Sequence, residues 1–316
     1  MTSLQMIRAI IGLCIGAVRD VRLLYNGGYS RVLVELPLTV LPEGDFVVDI
    51  LIHSPDANHA VVWELKSGGR IRPQQATKFS RLRANQFRDQ AFLHVPDFAT
   101  FRWDVVYLSP AENAPQIARG LGQLGLGHCV AAASSDRIQL HTGQLSTADL
   151  NAAFHGGLQF DVLGVDESLF PFDANSGPDE IVRFLVPALA SLASDRVEEF
   201  SIEEITALAF GSGWSFLIRA EGAKRQIFGA VRDILDASIR QELAGVLARG
   251  PRSQSLGRHR YNWVGETVFR EDGDTRVGLF HALRNLHDRY FPNLAAEFEM
   301  AIDDEMLEVD ADLSDE

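Results

Sequence analysis

The chain has 316 residues, 46% of them hydrophobic, with a formal net charge of −14 at pH 7. That is enough apolar material for a full core and about two domains. With two cysteines far apart in sequence there is no framework of disulfides, and Arg8, Arg19, Asp20 and Arg22 interrupt the apolar N-terminal stretch, which argues against a membrane span or signal peptide. A soluble, cytoplasmic protein is the expectation.

Leu4 to Leu24 reads as a first helix ended by Asn26-Gly27-Gly28. Arg31 to Val40 reads as a strand, and Pro37 within it suggests a sheet edge or a bulge. Phe46 to His53 is rich in Val and Ile with one charge, Asp49. Ala60 to Lys66 is apolar except for Glu64 and Lys66, and both runs read as largely buried strands. Ser54-Pro-Asp-Ala-Asn-His59 between them is turn chemistry. If the hairpin closes symmetrically, His53 pairs with Ala60, and counting back places Asp49 opposite Glu64. Their Cβ atoms would then lie roughly 4.5–5.5 Å apart. Two carboxylates so placed repel unless a cation lies between them, and their oxygens suit Mg²⁺ or Mn²⁺.

Alternation along the strand puts Lys66 on the face of Glu64, where its ammonium can orient an attacking water or stabilise phosphate charge. The chain uses 26 Arg and only three Lys, Lys66, Lys78 and Lys224, so a lysine here is a departure from its habit. Across the strand that precedes, a plausible register sets Glu35 on the Asp49 face, and Asp45 shares the Asp49 strand, so both are further candidate ligands. After Gly68-Gly69 and Pro73, a helix carries Gln75, Phe79 and Leu82 on an inward stripe, aiming Gln75 at the carboxylates. Its outer face holds Lys78 and Arg81, with no Asp or Glu between Leu65 and Arg88, and suits a phosphate backbone.

Trp103 to Ser109 (strand), Ala114 to Leu124 (helix) and Gly127 to Ala133 (strand) complete the order α-β-β-β-α-β-α-β, with Arg137 to His141 as a further short strand. Asp49, Glu64-Leu65-Lys66 and Gln75 in that order resemble the D…E-x-K…Q signature of the PD-(D/E)xK nuclease superfamily, with its restriction-endonuclease-like fold. Val48 stands where the family's leading proline would be. The resemblance implies that Asp49 and Glu64 bind Mg²⁺ and that Lys66, with Gln75, assists the water that attacks the scissile phosphate.

Phe160 to Pro178 has the Asp, Gly, Asn and Pro content of a boundary. Beyond it Ile181, Phe184, Leu185, Leu189 and Leu192 form one helical face with Pro187 as a candidate kink, and Ser201-x-x-Glu204 is a capping box. Ala220 to Gly250 holds one or two helices. Arg258 to Thr267 with Thr275 to Leu279 is read as a hairpin around Glu271-Asp-Gly-Asp274, which together with the helices resembles a winged helix-turn-helix. Arg219 to Arg260 has nine Lys or Arg against four acidic residues, which points to nucleic acid at the Arg249–Arg260 loop through Arg252, Arg258 and Arg260. Ten of the acidic residues, and no basic one, lie in Glu297 to Glu316, so the rest of the chain carries a formal −4; this tail is expected to be disordered.

The sequence therefore leads to an α/β chain: residues 1–160 as a nuclease-like domain, 161–178 as a linker, 179–296 as a mainly helical nucleic-acid- or partner-binding domain, and 297–316 as an acidic tail. The expected function is Mg²⁺- or Mn²⁺-dependent hydrolysis of phosphodiester bonds, foremost DNA endonuclease action in bacterial defence, restriction or repair. The expected assembly is a homodimer or a subunit of a defence complex, away from membranes. The alternative is a catalytically idle module of the same fold that binds DNA or a partner.

Overall fold

The computed structural model describes residues 1–15, 23–40, 44–88, 95–160, 167–217, 220–251, 253–264 and 274–291. The expected acidic tail and Arg252 lie outside the described residues. The chain divides into two compact units, Met1–Phe170 with Ser212–Ala223, and Pro171–Gly211 with Lys224–Glu316.

The first unit opens with α1 (Ser3–Ile15) and the short α2 (Leu23–Asn26), followed by three long strands, β1 (Arg31–Val40), β2 (Gly44–Ser54) and β3 (His59–Leu65). Then come α3 (Pro73–Ser80), α4 (Ala84–Arg88), β4 (Arg102–Pro110), α5 (Ala114–Gln123), β5 (Cys129–Ala133), β6 (Arg137–Thr142), α6 (Ala148–Gly156) and β7 (Leu158–Gln159). The strands form one sheet in chain order from β1 to β7. β1, β2 and β3 are antiparallel neighbours, β3, β4 and β5 run parallel, and β6 and β7 return antiparallel. A parallel step needs a crossover, which α3 and α4 supply between β3 and β4 and α5 supplies between β4 and β5.

Turn chemistry sets the hairpin. Asn58 takes the left-handed conformation at φ 47°, and its N–H donates to the Pro55 carbonyl at 3.1 Å. Ser54 Oγ accepts from Ala57 N–H and donates to the Gly27 carbonyl. Gly28 passes so close to that hydroxyl that a Cβ would sit 2.8 Å from it, and its φ of +77° favours glycine as well.

All seven β3 residues are buried, as expected of an inner strand covered on both faces. On one face Ala60 and Val62 join Phe79 and Leu82 and, from α5, Ile117 and Leu121 in a single core. Burying a side chain such as Phe79 contributes about 2–3 kcal/mol. On the other face Trp63 meets Phe154 of α6, ring centroids 5.6 Å apart. The sheet is thus mixed and flanked by helices. Cys14 and Cys129 are both buried free thiols, and burial pushes the Cys129 thiol up to about 11.

The second unit contains α7 (Pro178–Ser194), β8 (Glu199–Ser201), α8 (Ile202–Phe210), α9 (Glu221–Ser238), whose first three residues belong to the first unit, β9 (Leu247–Arg249), β10 (Arg260–Trp263) and α10 (Asp274–Tyr290). Its strands form an antiparallel sheet in the order β8, β10, β9. This corrects the expected hairpin. β10 pairs with β8 and β9, and Thr275 to Leu279 lies in α10, while 265–273 lies outside the described residues. The reason is visible in burial: Leu279, Ala282, Leu283 and Leu286 are buried at helical spacing, and α10 packs on α7. α7 runs through Pro187.

The capping box forms, with Ser201 Oγ accepting from Glu204 N–H at 3.2 Å and Glu204 Oε2 accepting from Ser201 N–H at 2.6 Å. Ser201→Ala is therefore expected to cost about 1 kcal/mol, read as a lower urea midpoint at unchanged slope. An unaltered midpoint would mean that the cap contributes nothing.

Candidate active site

Four strands and one helix converge on the site. The β2–β3 ladder runs from Ser54 with His59, through His53 with Ala60, to Ile50 with Trp63, and the next step in that register is Asp49 with Glu64. The ladder stops there because the Asp49 carboxylate takes over, its Oδ2 accepting from the Leu65 N–H at 2.5 Å. The next amide, Lys66 N–H, donates the other way, to Leu108 of β4 at 2.8 Å. The end of β3 is pinned from both sides.

β1 is irregular at the same level. It pairs with β2 from Arg31 with His53 to Val34 with Ile50 and resumes at Leu36 with Val48, omitting the step between Glu35 and Asp49. Glu35 has φ 53°, a conformation that costs a non-glycine residue about 1–3 kcal/mol and gathers at functional sites. The side-chain alternation changes phase here on both strands. The same core takes Leu33 and then Leu36 and Leu38 from β1, and Phe46 and Val48 and then Leu51 from β2. β1 is the edge of the sheet, where Pro37 fits and such an irregularity is tolerated.

Glu64 is 1% exposed and Lys66 15% exposed at its side chain. Lys66 Nζ donates to Glu64 Oε1 in a close ion pair and reaches Gln75 Oε1 of α3 at 3.4 Å. Glu64 Oε2 is buried without a hydrogen-bond partner. Burial first, and then the charges of Asp49 and Glu35, push the Glu64 carboxyl up to about 8 against the pull of Lys66. Burial likewise raises Asp49, opposed by the Leu65 N–H and by Lys66. The structure thus brings together Asp49, Glu64, Lys66 and Gln75, with Glu35 near enough to act on Glu64. Asp45 stands in β2 opposite Thr39, and its side chain lies outside the described residues.

The donor set fits a divalent cation of the Mg²⁺ class. It offers two carboxylates of hard oxygen, Glu64 buried and Asp49 half-buried, both disfavoured as anions by burial, and one orphaned oxygen. Among the described residues no group of three or more His, Cys, Asp or Glu is gathered for a metal. Two carboxylates suffice for Mg²⁺, which keeps several waters of its own.

Tyr107 belongs here, and the sequence shows no sign of it. It pairs with Glu64 in the β3–β4 ladder, is 1% exposed, and has a buried hydroxyl without a partner. In an apolar strand a tyrosine reads as core. Another polar cluster lies at the opposite end of β3: His59 Nδ1 meets the Tyr29 hydroxyl at 2.8 Å, and its Nε2 meets Asp104 Oδ2 at 3.1 Å and Ser146 Oγ at 2.9 Å. Those groups bind one another.

Of the basic residues expected at nucleic acid, Lys78 is part-buried on α3 and Arg81, which caps the C-terminal end of that helix, is exposed. Arg258 and Arg260 are exposed in the second unit, Arg260 paired with Glu199 at 3.1 Å. A polar cavity of about 330 Å³ in that unit is lined by Arg232, Arg249, Arg260, Asp236, His259 and Tyr261. Asp236 Oδ1 accepts from Arg249 Nε at 2.7 Å and from the Tyr261 hydroxyl at 2.9 Å. Among the described residues no helix is long and apolar enough to cross a membrane.

No protein-family model matches the chain, and neither a curated protein nor a solved structure was found similar to it.

Proposed function

We propose that the chain is a divalent-metal-dependent nuclease of the PD-(D/E)xK kind, with a restriction-endonuclease-like first unit that hydrolyses phosphodiester bonds, foremost in DNA. The observation that carries this reading is the meeting of Asp49, Glu64, Lys66 and Gln75 at one point of the sheet, with Glu64 Oε2 buried and unpartnered. The element order from α1 through β5 supports it. Asp49 and Glu64 would hold Mg²⁺ or Mn²⁺, which when bound supplies Lewis-acid stabilisation of charge on the phosphate. Lys66 offers a positive charge and a hydrogen-bond donor at the carboxylates, placed to orient the attacking water or to meet a phosphate oxygen. Gln75 Oε1 accepts from Lys66 and fixes where the ammonium points.

In the second unit, α7-β8-α8-α9-β9-β10 with the strand order β8, β10, β9 resembles a winged helix, in which the Arg249–Arg260 loop is the wing. In this reading the unit supplies nucleic-acid contact through Arg258 and Arg260, and a place in bacterial defence, restriction or repair follows by analogy of fold. Replacing Arg258 and Arg260 by Ala is expected to weaken binding alike across sequences and to reduce its salt slope by about one for each phosphate that the variant no longer neutralises. An unchanged slope removes them from the interface.

One observation favours the idle alternative: Glu64 already has Lys66 as its counter-charge, so the site is partly satisfied without a metal. A direct assay separates the two. Purified protein is incubated with linear, circular and single-stranded DNA and with RNA, in Mg²⁺, Mn²⁺ or EDTA. Metal-dependent cleavage abolished by EDTA is the expected result, and binding without cleavage in every condition would leave the idle module.

A further inference from the structure

Two buried polar atoms without partners occur at one rung of the sheet. Glu64 and Tyr107 are paired in the parallel β3–β4 ladder, and Glu64 Oε2 and the Tyr107 hydroxyl are both enclosed. Neither is there by accident of exposure, since each residue is 1% exposed. The Tyr107 ring is held by packing, at 6.0 Å and 79° to Phe79 and stacked at 5.9 Å on His128. That packing would be served equally by phenylalanine. A phenol oxygen left unpaired in a core costs about 1–3 kcal/mol, so keeping one on the ladder partner of a glutamate whose own carboxylate oxygen is orphaned calls for a use. The charges of Glu64 and Asp49 reach the hydroxyl and, after burial, are what raise its pKa.

We propose that Tyr107 is a positioning residue for Glu64: its hydroxyl donates, through one shared water, to Glu64 Oε2 and holds the carboxylate in the orientation that meets a divalent cation. A carboxylate oxygen has two lone pairs, so Oε2 keeps one for the cation while accepting on the other. Lys66 already holds Oε1. With both oxygens held, the carboxylate cannot rotate about its last torsion, which is how outer hydrogen-bond partners tune a ligand. The assignment rests on the reading of Asp49 and Glu64 as the cation site.

The test is Mn²⁺ binding to the full chain by calorimetric titration, for wild type, Tyr107→Phe and Asp49→Asn. Tyr107→Phe is expected to weaken Mn²⁺ binding by about 10–100-fold, the usual effect of losing an outer partner, while its metal-free melting temperature stays level or rises. A packing role alone predicts that same melting behaviour with Mn²⁺ affinity unchanged, and that result overturns the proposal. A measurement on the wild type guards against a variant that fails to fold. Adding Mg²⁺ should shift the tyrosine ultraviolet band, and a protein that binds the ion with no shift in that band also overturns it. If wild type and Asp49→Asn bind Mn²⁺ alike, the reading of the cation site fails and this one falls with it. If Asp49→Asn loses the ion and Tyr107→Phe keeps it, the Tyr107 assignment alone falls.

Discussion

Lys66→Ala is expected to lower phosphodiester cleavage by about 10²–10³-fold, the usual effect of removing one group that meets transition-state charge. Lys66 donates to Glu64 Oε1 and reaches Gln75, so the substitution removes the one ammonium beside both carboxylates among the described residues. The side chain is more enclosed than a strand-end lysine usually is, and Glu64 loses its counter-charge with it. A buried carboxylate left in that position takes a proton rather than staying ionised. Glu64 is already pushed up to about 8, and without Lys66 it should go higher, so the variant stays folded at neutral pH. The measurement is single-turnover cleavage with Mg²⁺ on whichever substrate the wild type cuts, beside a circular dichroism melt. Cleavage at the wild-type rate by the folded variant would remove Lys66 from the chemistry.

The second large effect couples metal, pH and stability. Burial and the Asp49 charge push the Glu64 carboxyl up to about 8, above its ordinary value of 4.5, so between those values the folded protein keeps a proton that the unfolded chain has released. The stability this group contributes is full below about pH 4.5 and is lost as pH rises through about 8, at up to about 1.4 kcal/mol per pH unit. Asp49 is shifted the same way and adds to the trend. The metal-free protein should therefore be more stable near pH 5 than near pH 8, with the slope flattened in Glu64→Gln.

A cation prefers the ionised carboxylates, so Mg²⁺ or Mn²⁺ should stabilise most at the alkaline end of that window, by about 2.7 kcal/mol at a hundredfold excess over its dissociation constant. Asp49→Asn should lose most of that gain. Melting curves across pH, with and without metal, test both statements. A metal-induced shift identical in wild type and Asp49→Asn would place the ion elsewhere. A pH slope unaltered by Glu64→Gln would mean that Glu64 is not the titrating group.

Turn chemistry and short periodicity, both local, determined what the sequence conveyed about the site. Ser54 to Asn58 can close a hairpin in few ways, and closing it pairs His53 with Ala60, which carries Asp49 to Glu64 by counting. Alternation then brings Lys66 to the same face, and a helical stripe through Phe79 brings Gln75. Tertiary structure decided the remainder. The turn of Glu35 to φ 53° is written in no residue pattern, because a glutamate has no preference for it and only the surrounding sheet imposes it. Thr275 to Leu279 is short enough to satisfy a strand pattern, and it becomes helix because Leu283 and Leu286 extend its apolar stripe and α7 is there to cover it. Tyr107 lies 43 residues beyond Glu64 and meets it only because β4 runs parallel beside β3. A partner across a crossover leaves no periodic trace in the chain, since strand order is chosen by the packing of whole elements and not by their neighbours in sequence.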